Sequence, residues 1–304
     1  MKPELPRIYF FHIPKTAGSS LGAIIRSAYP PEAYLPIREI PDLLALSREQ
    51  INHYRCFNGH FGTGLFSLLD RDVACITMLR DPFEHVVSNF YFLKRLFPKY
   101  ERDLSLVWEK VYLDIICYGE LRESINNPVI GKRLANYQTF HLSTDIDLIP
   151  FLGRGQSSPY LAVESFYIQE LTDIDMAQIV AKAKKQLDKM AVVGIVEQFS
   201  ESVSLVCDLI GIDSPPVIPQ VNIAPERQAI GKQSYRESGL IPPDVADRID
   251  ELTVHERKVY NYAKTLLSEK LAVRPTKNKT YSIPSLLVSK AVNKARRLMN
   301  QWIR

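Results

Sequence analysis

Three short clusters contain residue types that can do chemistry together. The first is residues 12–20, HIPKTAGSS. Lys15 is a mobile point charge, Thr16, Ser19 and Ser20 carry hydroxyl donors, and Ala17 and Gly18 leave the backbone uncrowded. A loop of this kind, opening a helix, turns unpaired N–H groups and the positive end of the helix dipole toward an anion. The second cluster is residues 57–62, FNGHFG, where His60 stands between glycines that let a ligand approach the backbone closely. An imidazole titrating near neutrality is suited to moving a proton. The third is residues 79–92, LRDPFEHVVSNFYF, in which the fork of Arg80 matches a phosphate bidentately and a lysine would not.

The elements that must hold these residues can be read from the flanking patterns. Ile8, Tyr9, Phe10 and Phe11 form a continuous apolar run of the fully buried strand type. Pro14 ends it, and Leu21, Ile24, Ile25 and Ala28 resume at helical spacing, giving strand, tight loop and helix. The same spacing also suits an ordinary strand-to-helix turn with an exposed lysine. A nucleotide-triphosphate loop is disfavoured, because the lysine precedes the glycine by three and the first glycine of G-x-x-x-x-G-K-[ST] is missing. Residues 72–79 (DVACITML) predict a central parallel strand, followed by a helix over 83–96 with Pro82 at its first position and Asp81 as its cap. Taken alone, His60 reads as a loop histidine bonded to a backbone carbonyl.

HIPKTAGSS closely resembles the 5′-phosphosulfate loop of sulfotransferases, in the group that holds the heparan and dermatan sulfate 2-O-sulfotransferases and their bacterial relatives. The other two clusters follow in the family's order, so the resemblance spans residues 7–267. It implies a P-loop-like three-layer α/β/α fold with a central parallel sheet. It also implies transfer of a sulfuryl group from 3′-phosphoadenosine 5′-phosphosulfate (PAPS) to a hydroxyl, with no metal. On this resemblance Lys15, Thr16, Ala17, Gly18, Ser19 and Ser20 hold the phosphosulfate, Lys15 also serving catalysis. Arg80 and Ser88 clasp the 3′-phosphate, and His60 is the general base, with His141 the next candidate. Arg227 and Lys232, in the polar loop 221–238, add cations near the 3′-phosphate; a solvated charged loop explains them nearly as well. LANYQTFHL (134–142) matches an N-x-Q-T segment that lines the acceptor cleft, so Asn136 and Gln138 are candidate sugar partners; a polar cluster at a helix start fits equally. Val193, Gly194 and Glu197 match a V-G-x-x-E segment. His85 stands where many relatives have arginine and is expected on the solvent side or behind the site, without chemistry.

Bulk properties narrow the class. The 304 residues are 46% hydrophobic and 24% charged, as in an ordinary globular protein, and no apolar run approaches the roughly 20 residues that span a bilayer. The first six residues do not read as a signal peptide, unlike the anchored Golgi members, so a cytoplasmic protein of the bacterial kind is expected. Cys56, Cys75, Cys117 and Cys207 form no C-x-x-C pair and read as free thiols in a reducing compartment. The net charge of +4 hides an asymmetry: eight Lys and Arg and no acid lie from Ala272 onward, leaving the body net acidic and not a nucleic-acid binder. Two parts follow, a sulfotransferase domain over 1–271 and a basic linker and helix over 272–304. Leu287, Ala291, Ala295, Leu298 and Trp302 share one face of that helix, which suits peripheral contact with an anionic membrane; docking on the body or on a second subunit has equal weight.

Elsewhere the pattern predicts a short helix from Asp42, itself the cap, to Tyr54, core helices over 94–123, and an amphipathic helix over 172–189. It continues with a strand over 191–197, a helix over 200–210 stopped by Gly211, and a closing helix pair over 241–271. A hydroxyl-bearing carbohydrate is the expected acceptor. A lipid or small metabolite is the alternative, and a non-catalytic carbohydrate-binding protein on the same fold is the rival from another class. A Mg²⁺-ATP phosphotransferase is disfavoured by the absence of a Walker context.

Overall fold

The computed structural model describes residues 5–96, 114–153, 175–215, 224–231 and 233–274. The chain opens with β1 (Ile8–Phe11), all four side chains fully buried, and α1 (Gly18–Ala28). Two short helices follow, α2 (Ile40–Leu44) and α3 (Arg48–His53), where a single helix capped by Asp42 is predicted. Asp42 lies within the first turn of α2. The capping box belongs to Ser47 and Gln50 at the start of α3, each side chain taking the other's backbone N–H. Next come β2 (Cys56–Gly59), α4 (Gly64–Leu68), β3 (Ala74–Leu79) and α5 (Pro82–Leu96). Asp81 Oδ1 accepts from the N–H groups of Phe83 and Glu84, as expected of the α5 cap.

A π-helical turn at Asp114–Tyr118 leads into α6 (Leu121–Asn126), α7 (Pro128–Ala135) and α8 (Tyr137–Ser143). Then follow α9 (Met176–Leu187), β4 (Val192–Ile195), α10 (Phe199–Ile210), α11 (Pro225–Ala229), α12 (Pro243–Leu252) and α13 (Val254–Ala272). Gly211 closes α10 in the left-handed conformation, φ 72°, as the sequence predicts. Lys232, the loop after Gly153 and the basic tail 275–304 lie outside the described residues, and so do most residues of 94–123 read as core helices.

The four strands are all parallel, in the order β2-β1-β3-β4. Phe11 pairs in register with Gly59 on one side and Thr77 on the other, so the loops after β1, β2 and β3 leave the sheet along one edge. Because β1 is flanked by β2 and β3, the chain changes direction across the sheet between β1 and β3. A crevice opens outside the strand ends at such a switch point in α/β sheets. The main core surrounds the sheet, with α1, α10 and α13 packed on it. A second cluster joins α5, α6, α7 and α12 through Phe83, Val87, Phe90, Ile125, Leu134 and Ile249. This helical cluster fixes α5, whose other face meets the loop after β1. No helix among the described residues is long and apolar enough to cross a membrane.

Candidate functional site

The loop after β1 is held in an uncommon shape. Lys15 (φ 67°) and Ala17 (φ 58°) both occupy the left-handed region although neither is glycine. Each such residue costs on the order of 1–3 kcal/mol and persists only where its surroundings impose it. Here the Thr16 hydroxyl donates to Ile13 O at 2.7 Å and is fully buried, pinning the loop from below. Gly18 admits no side chain, since a Cβ there would lie 1.8 Å from His12 Nε2. The result is a loop with two left-handed residues, one of them the N-cap, leading into the N-terminus of α1. Among the described residues no carbonyl or side chain accepts the N–H groups of Thr16, Ala17, Gly18 or Ser19. Successive amides turned the same way form an anion-binding nest.

Lys15 Nζ sits 4.6 Å from the centre of the Phe92 ring on α5. Burial, with Arg95 and Arg80 nearby, lowers its pKa to about 8. Glu84, Ser88, Phe92 and Arg95 recur at three and four residues along α5 and so share the face turned to Lys15. Ser88 is buried, 4% exposed. Arg80, at the end of β3, donates through Nη1 to Lys15 O at 3.5 Å and through Nη2 to Glu84 Oε2 at 3.3 Å. Its Nε is buried without an acceptor. A buried guanidinium N–H ordinarily has an acceptor, so one without calls for a reason. Arg227 comes in from α11, 4.0 Å from Glu84 Oε2, and both it and Arg80 lie within 6 Å of the Tyr235 ring centre.

His60 follows β2. Its Nδ1–H donates to His12 O at 2.9 Å, which fixes the tautomer and leaves Nε2 as an acceptor. The carbonyl-bonded loop histidine and the base candidate are therefore one and the same ring. Nε2 faces Glu39 Oε1 at 3.7 Å, and 22% of the side chain is exposed. Burial pulls the pKa down to about 3, against the opposing pull of the His12 carbonyl, so the ring is neutral at physiological pH. The His12 ring lies 4.5 Å from it, centre to centre, and accepts at Nδ1 from Arg38 Nη2 at 2.8 Å. His12 thus touches both the nest, through Gly18, and His60. His141 stacks on Tyr137 at 5.2 Å and meets Phe11 edge-on, and burial lowers its pKa to about 4.

His85 takes the second of its two expected places, behind the site: it is fully buried and donates from Nε2 to Pro14 O at 3.0 Å. One expectation changes: Gln138 and Asn136 are interior, 0% and 3% exposed, with no open face for a sugar, and form instead the polar cluster at a helix start, that of α8. Gln138 accepts the Arg80 N–H at 2.8 Å and donates to Arg80 O at 3.0 Å, acting on β3's end as an adjacent strand would. Asn136 Nδ2 donates to Lys132 O and Leu252 O. Glu197 accepts the Asp81 N–H at 3.1 Å and the Tyr260 hydroxyl at 2.8 Å, so it too supports the Arg80 turn. Sequence reasoning passed over His12, Arg38, Glu84, Tyr235 and Glu256. His12 lay within the first motif, but only its contacts give it a part. A broad open depression of about 890 Å³, bordered by Arg48, Asn52, His53, Leu69 and Asp70, lies near the strand starts, away from these groups.

Fold and site together define a parallel α/β protein with a lysine loop, an arginine whose Nε is buried and a neutral imidazole along one sheet edge, at a switch point. No protein-family model and no curated protein sequence matches the chain.

Proposed function

We propose that this chain is a PAPS-dependent sulfotransferase of the P-loop-like α/β/α kind, acting on a hydroxyl of a carbohydrate or glycoconjugate. The observation that carries the reading is the buried Arg80 Nε, with no protein acceptor among the described residues, near the amides of Thr16–Ser19, which have none either. These are two anion demands on adjacent strand ends, and the donor is an anion at both ends. PAPS, when bound, supplies an activated sulfuryl group that leaves its bridging phosphate oxygen for the acceptor oxygen. The nest and Lys15 fit the phosphosulfate, and Arg80, with Arg227 beside it and Ser88 one turn beyond Glu84 on α5, fits the 3′-phosphate. His60 Nε2, already unprotonated, takes the proton of the acceptor hydroxyl. General-base help of this kind is worth roughly 10² to 10⁴ in rate. Lys15, with the nest, stabilises charge on the departing oxygen, where losing one donor costs about 3 kcal/mol.

The alternative acceptors, a lipid or a small metabolite, leave this machinery unchanged. Incubation with ³⁵S-labelled PAPS and a panel of polysaccharides, glycolipids and small alcohols tests the reading directly. Label passing to a hydroxyl of one class supports it. Absence of transfer, together with no calorimetric binding of adenosine 3′,5′-bisphosphate, removes it.

A further inference from the structure

Four buried polar groups run behind the two anion sites. His85 on α5 gives its Nε2–H to Pro14 O, next to Lys15, at 3.0 Å. That leaves His85 Nδ1 as an acceptor, buried and without a partner, 3.9 Å from Glu256 Oε1. Glu256 lies in the first turn of α13 and is fully buried. Its Oε1 accepts from Gln138 Nε2 at 2.7 Å, and its Oε2 from Thr139 N and Oγ1 at 3.2 and 3.4 Å. Gln138 in turn clasps both backbone groups of Arg80. Hydrogen bonds thus lead from the carbonyl before Lys15 to His85, and from Glu256 through Gln138 to the backbone of Arg80. Between the two halves His85 Nδ1 faces Glu256 Oε1 across 3.9 Å, a polar contact longer than a hydrogen bond. Burying a carboxyl and an imidazole is costly where aliphatic side chains would not be, and such groups can fix one geometry in return.

We propose that His85 and Glu256 are positioning residues that set the Lys15 loop and the Arg80 strand end as one unit, so that two anion sites have a fixed separation. The proposal rests on the donor reading only for the identity of the ligand; the register of the two turns is a property of the chain itself.

The test is amide hydrogen exchange on the full chain with no ligand, comparing wild type with Glu256→Gln and His85→Leu. All three groups that meet Glu256 through hydrogen bonds are donors, so an amide there turns an NH₂ against one of them. Glu256→Gln is expected to speed exchange roughly tenfold at Arg80, whose N–H bonds Gln138 Oε1, and at Ser20 and Leu21, whose N–H groups bond Ala17 O at the end of the loop, the equivalent of about one buried hydrogen bond. His85→Leu cuts the line on one side only and is expected to loosen Ser20 and Leu21 by a similar factor while leaving Arg80 as it was. In both variants β4 keeps its wild-type protection. Unchanged exchange at Ser20 and Leu21 in folded variants overturns the proposal, and so does a uniform rise that includes β4, or failure of both variants to fold, since these mark a purely structural role. Calorimetry with adenosine 3′,5′-bisphosphate is run in parallel, with an expected loss of tenfold or more in affinity for Glu256→Gln. A wild type that does not bind it sinks the nucleotide reading and leaves the exchange result standing on its own.

Discussion

At the scale of single side chains, the site depends on which nitrogen of His60 is free. The His12 carbonyl accepts a hydrogen bond from Nδ1–H, so Nε2 is the basic atom, and burial keeps it unprotonated far below neutrality. His60→Ala is expected to lower turnover by about 10² to 10⁴ while the affinity for adenosine 3′,5′-bisphosphate stays within a factor of two or so. Normal turnover in that variant would move the base to His141. Arg80→Ala is expected to do the reverse and weaken the bisphosphate by roughly 10- to 100-fold, the worth of one charge-assisted contact; unchanged affinity by titration calorimetry rejects the assignment. The pH profile separates the two roles. Lys15 binds anions only while protonated, and its pKa of about 8 puts the alkaline limb of kcat/KM near pH 8, well below the ordinary lysine range. On the acid side the profile stays flat through pH 6.5, where an unperturbed histidine would lose activity, because His60 protonates only near 3.

At the scale of elements, the strained loop and its glycine carry opposite expectations. Ala17 holds φ 58° at the N-cap of α1, a conformation and a position that glycine accepts without penalty. Ala17→Gly is therefore expected to raise stability by about 1 kcal/mol, read from urea midpoints; a loss would show that the methyl group packs usefully. Gly18→Ala forces its methyl into the His12 ring, which Arg38 and the stacked Phe10 hold, and is expected to cost about 1–3 kcal/mol. Much of this level was legible from local patterns. The apolar run of β1, the proline and glycine that bound its loop, Asp81 before Pro82 and Gly211 after α10 all act through their nearest neighbours. Where the reading of Asp42 missed, a competing local signal, Ser47 with Gln50 three residues on, was also present in the sequence.

At the scale of the whole molecule, burial of histidines governs the response to acid. His12, His60, His85 and His141 all have depressed pKa values in the fold, chiefly by desolvation. The unfolded chain takes up protons at these rings below about pH 6.5 and the fold does not, so stability falls as pH drops from there, by about 1.4 kcal/mol per unit for each proton refused. Glu256, raised to about 7 by burial, works the other way, because the fold binds its proton between roughly pH 7 and 4.5. Four imidazoles outweigh one carboxylic acid. The urea midpoint is expected to decline already between pH 6.5 and 5, above the range where carboxylates alone denature a protein; a flat midpoint there would mean the rings are hydrated in the fold.

What the sequence determined by itself is whatever depends on residues close along the chain: the strand-loop-helix at residues 8–28, the second such unit at 74–96, and the presence of a lysine, an arginine and a histidine at their turns. The strand order β2-β1-β3-β4, which brings those three turns to one edge, was set only by tertiary packing. So were the inward turn of His85 and Gln138 and the arrival of Glu256 from the last helix, more than a hundred residues away from Gln138. Side-chain periodicity says which face of an element is apolar, but it is silent on which distant element that face meets. A buried histidine, glutamine or glutamate looks polar and exposed in a sequence until the partners that satisfy it are folded against it.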